Sequence, residues 1–559
     1  MNHSTIVSSE KRQLFKRSVL LAVSLMAGIA LFAQKDTTKK QTIDIISSYK
    51  PVLRNAVKIN FSGSQLPADT VKNVRAYNIP SQNLFYAYQP IPLRPLALQQ
   101  DTSLYLGGRN YLKAGFGSYT TPYLETGLGF GDGRTTLVNV FGNYISSKGN
   151  IKNQDFSIFT VKGTGSYFLP ENEVYASAAF SRKQYFLYGY DHAIYDYKKD
   201  EIRQQFQDID LAVGFRNTAK NSLGISYNPS VRVNFFTNKD LLSESSVIIH
   251  APVEKNFGKA FTLKVDAKAD LTNYATKNFI PENISFSNNV IQVTPSVKYN
   301  SGRFNVTAGI TPVWDRGNFV YMPDIYGEIQ LQEKVFILQG GWVGRVIKNT
   351  YRNLSNINPW ISTMTAQRNT RETELYGGIK ASVGKHFNFS AKAGFVTYRD
   401  YQFIINDTSL VTDSKSFFLS NDSKVNNFRL HGDLSYINQD KFTLTAGITF
   451  NGFTGMQDNA KAWHTVPMEV TGSLRWWAYQ RLLVKGDFYM FAGGNYLEKG
   501  NLSRSFSGGS DLSAGAEYTI NKQFSAFLNV NNIFGDTYER WHNYQVYGIN
   551  VLGGIIVRF

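Results

Sequence analysis

The sequence predicts an all-β protein, a large antiparallel transmembrane β-barrel of about 22 strands. Three observations indicate this fold: apolar and polar residues alternate from about residue 103 onward, short turns recur at a regular spacing, and the chain ends on an aromatic residue. The chain has 559 residues, 42% of them hydrophobic and 18% charged. After the N-terminal region no stretch approaches the ~18–20 apolar residues that a spanning helix requires, so strands are expected to span the membrane.

The alternation has a period of two residues, which is typical of β-strands. The segments 387–395 and 442–450 show it, and so does the segment from Phe261 to Leu271. In that last segment, one face is apolar and the other is polar and carries the candidate lumen-facing charges Lys264, Asp266, Lys268 and Asp270. A soluble sandwich also alternates. The leader, the terminal Phe and the number of strands favour the membrane barrel.

The turns give the strand count. Asp-Gly and Asn-x-Gly are good hairpin signals, and ten short turns are predicted on the periplasmic side, at 131–133, 170–172, 217–221, 256–259, 300–302, 332–334, 384–385, 438–441, 478–481 and 521–523. With both termini periplasmic, these ten turns imply 22 strands. The opposite connections are expected to be longer, at 146–155, 185–200, 276–286, 348–365, 401–425, 456–464, 495–507 and 535–547.

The N-terminal 33 residues are predicted to be a signal peptide. Lys11, Arg12, Lys16 and Arg17 precede the apolar stretch 18–30, and a cleavage point is plausible after Ala33. Residues 34–102 are expected to form an extended periplasmic or lumen-lining segment, and residues 103–559 the barrel. The net charge of +17 is attributed to a charged lumen or to contacts with anionic lipid, and no nucleic-acid partner is expected.

The final strand carries the candidate signal for barrel closure. Its alternating positions end on the C-terminal aromatic residue, as is usual for outer-membrane barrels, and assembly machinery is expected to recognise Tyr547, Ile549, Val551, Ile555, Val557 and Phe559. This strand indicates the outer membrane of a Gram-negative bacterium, with outer-membrane lipid and the assembly machinery as partners.

The last two strands resemble those of the TonB-dependent outer-membrane receptors. The chain reads Phe527 to Tyr538 as a strand followed by an Asn-Ile-Phe-Gly-Asp turn and a Tyr, and then a final strand that closes on Phe559. The resemblance covers roughly residues 103–559 and implies a large barrel that binds or transports solutes. A receptor of this family also carries a folded plug of well over a hundred residues. The roughly 70 residues after position 33 are too few for such a plug, and the run Tyr86 to Pro95 carries three prolines that exclude helix and central strand.

One short segment is similar to the coupling box through which these receptors engage TonB. It is apolar and suited to adding a strand to a partner sheet, and it comprises Thr42, Ile43, Asp44, Ile45 and Ile46. The alternative interpretation is a linker or the first piece of lumen-lining chain. TonB is therefore a candidate partner. A surface lipoprotein is a second candidate.

The sequence contains no recognisable catalytic or metal-binding motif, so neither an enzyme nor a cofactor is predicted. Two groups of side chains are candidate functional residues. Lumen-facing charges could form a selectivity surface, or could simply pair across neighbouring strands, and they are Lys264, Asp266, Lys268, Asp270, Lys392, Lys485 and Asp487. Aromatic residues of one outer loop could hold a ligand or partner, or could extend the aromatic girdle, and they are Tyr185, Tyr188, Tyr190, Tyr195 and Tyr197.

Two functional hypotheses follow, and an enzyme assembled in the barrel wall is a third and weakest option. The first is a TonB-dependent-receptor-like barrel that binds or transports a solute through a porin-like polar lumen, controlled by the N-terminal segment and the outer loops. The second is a structural or accessory barrel in an outer-membrane assembly or secretion complex, which does not transport. The short N-terminal segment and the modest outer loops favour the second hypothesis.

Overall fold

The computed structural model describes residues 110–559, except 220, 240, 280–281, 333–335, 385, 410–412 and 439–440. The predicted signal peptide 1–33 and the segment 34–102 lie outside the described residues. No helix in the described part of the chain is long and apolar enough to cross a membrane.

The wall of the protein is a single sheet in which β7 and β8 form one interrupted strand, because both pair with β9. The wall strands are β1 (Tyr111–Gly117), β2 (Thr121–Phe130), β3 (Thr136–Ser147), β4 (Phe156–Phe168), β5 (Asn172–Phe186), β6 (Arg203–Asn217), β7 (Ile225–Tyr227), β8 (Ser230–Asn238), β9 (Leu242–Phe257), β10 (Phe261–Thr276), β11 (Ser285–Asn300), β12 (Phe304–Asp315), β13 (Asn318–Gln332), β14 (Phe336–Ile347), β15 (Thr370–Val383), β16 (Phe387–Asn406), β17 (Phe417–Asn438), β18 (Phe442–Thr454), β19 (Met468–Tyr479), β20 (Leu482–Phe491), β23 (Gly509–Thr519), β24 (Phe524–Asn531) and β27 (Asn550–Arg558).

The sheet closes on itself because β1 pairs with β27. This junction, called the seam below, is antiparallel and places Ala114 opposite Ile555 and Tyr111 opposite Arg558. The backbone N–H of Phe559 also donates to the carbonyl of Asn110 at 3.0 Å. The result is a closed antiparallel barrel of 22 strands, which confirms both the predicted fold class and the predicted strand number.

One end of the barrel, called the turn end, carries the short connections. The predicted turns fall between consecutive wall strands at this end, and positions 220, 333, 334, 385, 439 and 440 of four of them lie outside the described residues. The turn after β2 shows the chemistry: Asp132 accepts hydrogen bonds from the backbone N–H groups of Arg134, Thr135 and Thr136 at 2.7–2.9 Å. These bonds to the carboxylate lower the pKa of Asp132. Gly131 and Gly133 adopt the positive φ that the turn requires.

The other end, called the loop end, carries most of the long connections, but the prediction needs two corrections. Three connections are short, at 118–120, 239–241 and 316–317. The predicted loop 401–425 is mostly strand, because β16 and β17 continue their pairing from Tyr401 opposite Asp422 to Asn406 opposite Phe417, leaving only 407–416 as connection. Two loops contain small hairpins of their own, β21 (Asn495–Glu498) with β22 (Leu502–Ser505), and β25 (Glu539–Trp541) with β26 (Tyr544–Gln545).

The outer face of the wall is apolar. On β10, Phe261, Leu263 and Val265 are 50%, 41% and 38% exposed and point away from the barrel interior. Exposed aromatic residues form two girdles, as expected at the two membrane interfaces. The girdle near the turn end includes Phe257, Tyr299, Phe304, Phe387, Trp476 and Phe524, and the girdle near the loop end includes Phe116, Phe235, Trp314, Phe319, Phe395 and Phe428.

Candidate functional site: the loop cap and the polar lumen

The long connections fold inward and pack against one another across the mouth of the barrel. The structure that they form is called the loop cap below, and among the described residues it comprises 187–202, 348–369, 407–409, 413–416, 455–467 and 532–549. Its main core contains 22 buried apolar and aromatic residues contributed by these connections and by the adjacent strand ends. Loops from distant parts of the wall therefore meet across the mouth of the barrel.

Three aromatic rings from three different connections meet at the centre of the cap. The rings of Trp360 and Tyr544 stack with their centroids 3.7 Å apart. The ring of Tyr188 lies 4.7 Å from that of Tyr544 and 5.8 Å from that of Trp360, in edge-to-face geometry with both. Such pairs add to the stabilisation that burial of their area provides.

The polar atoms of these rings fix the loops to one another. Trp360 Nε1 donates to the Phe186 carbonyl at 2.9 Å, Tyr188 to the Gln545 carbonyl at 2.8 Å, and Tyr544 to the Lys415 carbonyl at 2.6 Å. Burial raises the pKa of Tyr188 and of Tyr544 well above the ordinary value, so both hydroxyls remain donors. The polar atoms of the three central rings are therefore hydrogen-bonded, and the rings themselves are closely packed.

A second part of the cap surrounds His464. The imidazole stacks on Trp541 at 5.3 Å, and its Nδ1 lies 2.9 Å from the Ile404 carbonyl. Arg540 Nη1 donates to the His464 carbonyl at 2.8 Å. Burial and then the charge of Arg540 lower the pKa of His464 well below its usual value, so the imidazole is neutral in the closed cap.

The connection 348–369 contains helix α1 (Tyr351–Ile357). Thr350 caps its N-terminus by accepting the Asn353 N–H at 3.1 Å, and Leu354 accepts from Asn358 at its end. The buried face of α1 carries Tyr351 and Leu354, which belong to the core of the cap. The helix therefore lies inside the barrel mouth.

The structure places the predicted loop aromatics inside the cap. Tyr185, Tyr188 and Tyr190 are buried, and Tyr195 and Tyr197 are partly buried and pack on the same core. The Tyr197 hydroxyl donates to Asp413 at 2.5 Å, which links connection 187–202 to connection 407–416. In the closed cap these rings contact protein, and their role toward a ligand stays a prediction.

The predicted lumen charges lie on the polar face of the wall, where several of them form ion pairs. Lys264 lies 3.8 Å from Glu254, Asp266 lies 2.9 Å from His250, and Asp270 binds Lys348. Lys392 pairs with Glu374 at 2.9 Å and Lys485 with Glu517 at 2.7 Å. In the strand register, Lys268 is opposite His250 and Gln292, and Asp487 is opposite Ser473 and Ser513.

The predicted closure residues divide between two places. Ile549, Val551, Ile555 and Phe559 are exposed on the outer face of the last strand or its flanks. Val557 shares that face and is opposite Leu112 across the seam. Tyr547 lies in the cap, where it is buried and stacks on Tyr119 at 5.4 Å. Recognition of these residues by assembly machinery stays a prediction.

Apart from the loop tyrosines, sequence reasoning did not identify the residues that pack in the loop cap. Trp360, Tyr544, Arg352 and His464 lie in or beside predicted outer connections, but no periodic pattern distinguishes them. The TonB-box-like residues 42–46 lie outside the described residues. In the described ranges, no group of three or more His, Cys, Asp and Glu side chains is arranged to hold a metal ion.

No protein-family model matches the chain, and no curated protein matches it. Solved structures that are similar to it include the FrpB iron transporter from Neisseria meningitidis and the siderophore receptor PirA from Acinetobacter baumannii, both with a TM-score of 0.62 and 11% identity. The copper transporter OprC has a TM-score of 0.60, also at 11% identity. Each alignment covers 81% of this chain and 80–83% of the other chain.

These similarities confirm the predicted resemblance at the level of the fold. The protein is a closed, 22-stranded antiparallel β-barrel whose fold is like that of the TonB-dependent receptors. The proteins named are transporters and receptors. At 11% identity the similarity establishes the fold, and it does not identify a ligand for this protein.

Proposed function

We propose that the protein is an outer-membrane receptor-like barrel that binds or transports a solute, with the loop cap as its outer gate. The observation that carries this proposal is the combination of a polar, charge-bearing inner wall with a mouth closed by the chain's own loops. In this account the loop end faces the outside, both termini are periplasmic, and the barrel lies in the outer membrane of a Gram-negative bacterium.

The energetics of the cap set a condition on this function. Burial of a large apolar side chain stabilises by about 1.5–3 kcal/mol. Separation of Tyr188, Trp360 and Tyr544 alone therefore opposes opening by roughly 5–9 kcal/mol. Thermal opening is rare on this scale, so a ligand or partner must bind the open state more tightly than the closed state.

The N-terminal residues supply a second element of the proposal. Residues 34–102 would line the lumen from the periplasmic side in place of a full plug. The segment 42–46 would add a strand to TonB, which would couple an energy source to opening. Support for both comes from the sequence pattern alone.

Liposome swelling with neutral sugars of increasing size tests solute passage. The expected result is slow swelling with the wild-type protein and faster swelling with Tyr544→Ala, because this variant removes the central ring of the cap. Phe534→Ala is a matched control, since Phe534 belongs to the same connection but is 54% exposed. Equal, negligible swelling with all three proteins would reject transport.

The second candidate is a non-transporting accessory barrel of an outer-membrane assembly or secretion complex. The extent of the cap core favours it, because a core of 22 buried residues is suited to permanent closure. Gentle solubilisation of native membranes distinguishes the two: an accessory barrel is isolated in a complex of fixed stoichiometry, whereas a receptor is isolated without one.

A further inference from the structure

The connection 348–369 crosses the inside of the barrel. It joins β14 to β15, yet Lys348, Tyr351 and Arg352 at its start make polar contacts with β10, β9 and β6, which are four or more strands away along the wall. Its apolar side faces the cap core through Tyr351, Leu354 and Trp360. Its other side faces the inner wall and carries charges.

Lys348 forms the first polar attachment. Its ammonium group binds the Asp270 carboxylate and also donates to the Asp270 carbonyl at 2.9 Å and to Thr272 Oγ1 at 2.6 Å. The side chains of Lys348 and Asp270 are only 10% and 14% exposed. Water therefore screens this pair less than it screens a surface ion pair.

Arg352 forms the second attachment, one helical turn further along. Its Nε donates to Asp208 at 2.8 Å and its Nη2 to Asp210 at 3.4 Å, so the guanidinium bridges two carboxylates of β6. On β9, Glu244 accepts the backbone N–H groups of Tyr351 and Arg352 at 2.8 and 3.4 Å. The start of α1 is thus held to the wall on two strands.

We propose that Lys348 and Arg352 form a charge latch that holds connection 348–369 across the barrel mouth and so keeps the cap closed. The inference deepens the proposed outer gate and rests on it for its biological role. The apolar core stabilises the cap, and the two cations fix its position, because each finds its carboxylate partners only when the loop lies across the lumen.

The latch has a clear physical consequence. Removing the two loop cations leaves the carboxylates of β6 and β10 without those partners, and partly buried carboxylates are unfavourable without a counter-charge. Water must then enter between loop and wall to solvate them. The loop is expected to leave the wall while the barrel itself stays folded.

Distance measurement by electron paramagnetic resonance tests the latch in the full-length protein. The chain contains no cysteine, so two introduced cysteines take the spin labels specifically. Asn353→Cys places one label on an exposed position of the loop, and Arg303→Cys places the other in an exposed turn at the opposite end of the barrel. The wild-type background is expected to give one narrow distance distribution.

The double variant Lys348→Ala, Arg352→Ala is expected to raise the fraction of molecules with the loop displaced from the wall at least tenfold. The double variant Asp208→Asn, Asp210→Asn removes the carboxylate partners of Arg352 and should also raise this fraction. Lys380→Ala is the matched control, because Lys380 pairs with Glu328 at 2.6 Å on the same inner wall away from the loop. An unchanged distribution in both latch variants would overturn the proposal.

Migration of unheated samples on gels shows whether each variant is folded. Arg352→Lys keeps the charge and should give a distance distribution close to that of the wild type. Swelling assays on the same variants separate the latch from the proposed function. A displaced loop with faster swelling supports both proposals. A displaced loop without any swelling supports the latch and rejects transport.

Discussion

The indole of Trp360 and the phenol ring of Tyr544 stack with their centroids 3.7 Å apart and their planes inclined by 27°. They come from two connections that are far apart in the sequence, and both are buried. This contact joins the helix-bearing connection to the last connection of the chain. It is the centre of the closure described above.

Replacing Trp360 by Ala should loosen the cap without unfolding the barrel. The expected loss is about 3–5 kcal/mol of cap stability, because a buried Trp is truncated and leaves a cavity. Trypsin cleavage after Lys415, which lies in the cap, measures the opening. Trp342→Ala is the control, since Trp342 is 49% exposed on the lipid face. Equal cleavage rates for the two variants would contradict a packed cap.

The seam should be sensitive to a single added methyl group. A Cβ at Gly554 would lie 2.0 Å from the Ala114 carbonyl oxygen and 2.7 Å from the Phe527 ring, so β1 and β27 would have to shift. Overpacking of this kind costs about 1–3 kcal/mol. Gly554→Ala should therefore lose its folded, fast-migrating gel band at a lower temperature. Gly377→Ala should behave like wild type, because a Cβ there meets nothing within 4 Å.

The cap should weaken in acid. Burial lowers the pKa of His464 in the closed cap, whereas in an open cap the imidazole returns toward its ordinary value of about 6.5. The open state then binds more protons at low pH, so stability is full above about pH 6.5 and falls as the pH decreases below it. The spin-label distances at pH 7.5 and 5.0 should differ in wild type and not in His464→Gln. His542→Gln, in the adjacent hairpin, should still show different distances at the two pH values. If the distances became equal in His542→Gln, His542 would be the group responsible.

Charges on the two faces of the wall should have different effects. Val265→Arg places a cation on the lipid face, where it is expected to cost about 2–4 kcal/mol near the membrane midplane. Thr294→Arg places the same group on the polar face of β11, opposite Asp266, and should be tolerated. Urea unfolding in lipid vesicles measures both. If Thr294→Arg were the more destabilising variant, the assignment of the two faces would be wrong.

Much of the wall could be predicted from the sequence because its signals are local. The two-residue alternation, as in 261–271, distinguishes the faces, and turns such as 131–133 carry Asp and Gly at the required positions. The short connection 316–317 also carries a local signal, the glycine at position 317. Arg316 and Gly317 both adopt the positive φ that a two-residue hairpin requires. Tyr119 and Thr120 adopt the same region without any glycine, and no sequence rule indicates that turn.

The cap could not be predicted in the same way. The hydroxyl of Tyr188 reaches the carbonyl of Gln545, 357 positions away, and such contacts depend on how the five connections of the cap meet after the barrel has closed. The aromatic residues of these connections look the same in sequence whether they face a ligand or one another. The position of Arg352 between Asp208 and Asp210 likewise depends on α1 lying inside the mouth.

If the loops alone close the loop end, the barrel should stay shut without its N-terminal segment. Single-channel conductance in planar bilayers, with the full-length protein and with a variant that lacks residues 34–102, measures this. Both proteins are expected to remain closed, with only brief openings, because the loop cap belongs to the barrel. A wide and steady pore after deletion of residues 34–102 would show instead that closure depends on the N-terminal segment.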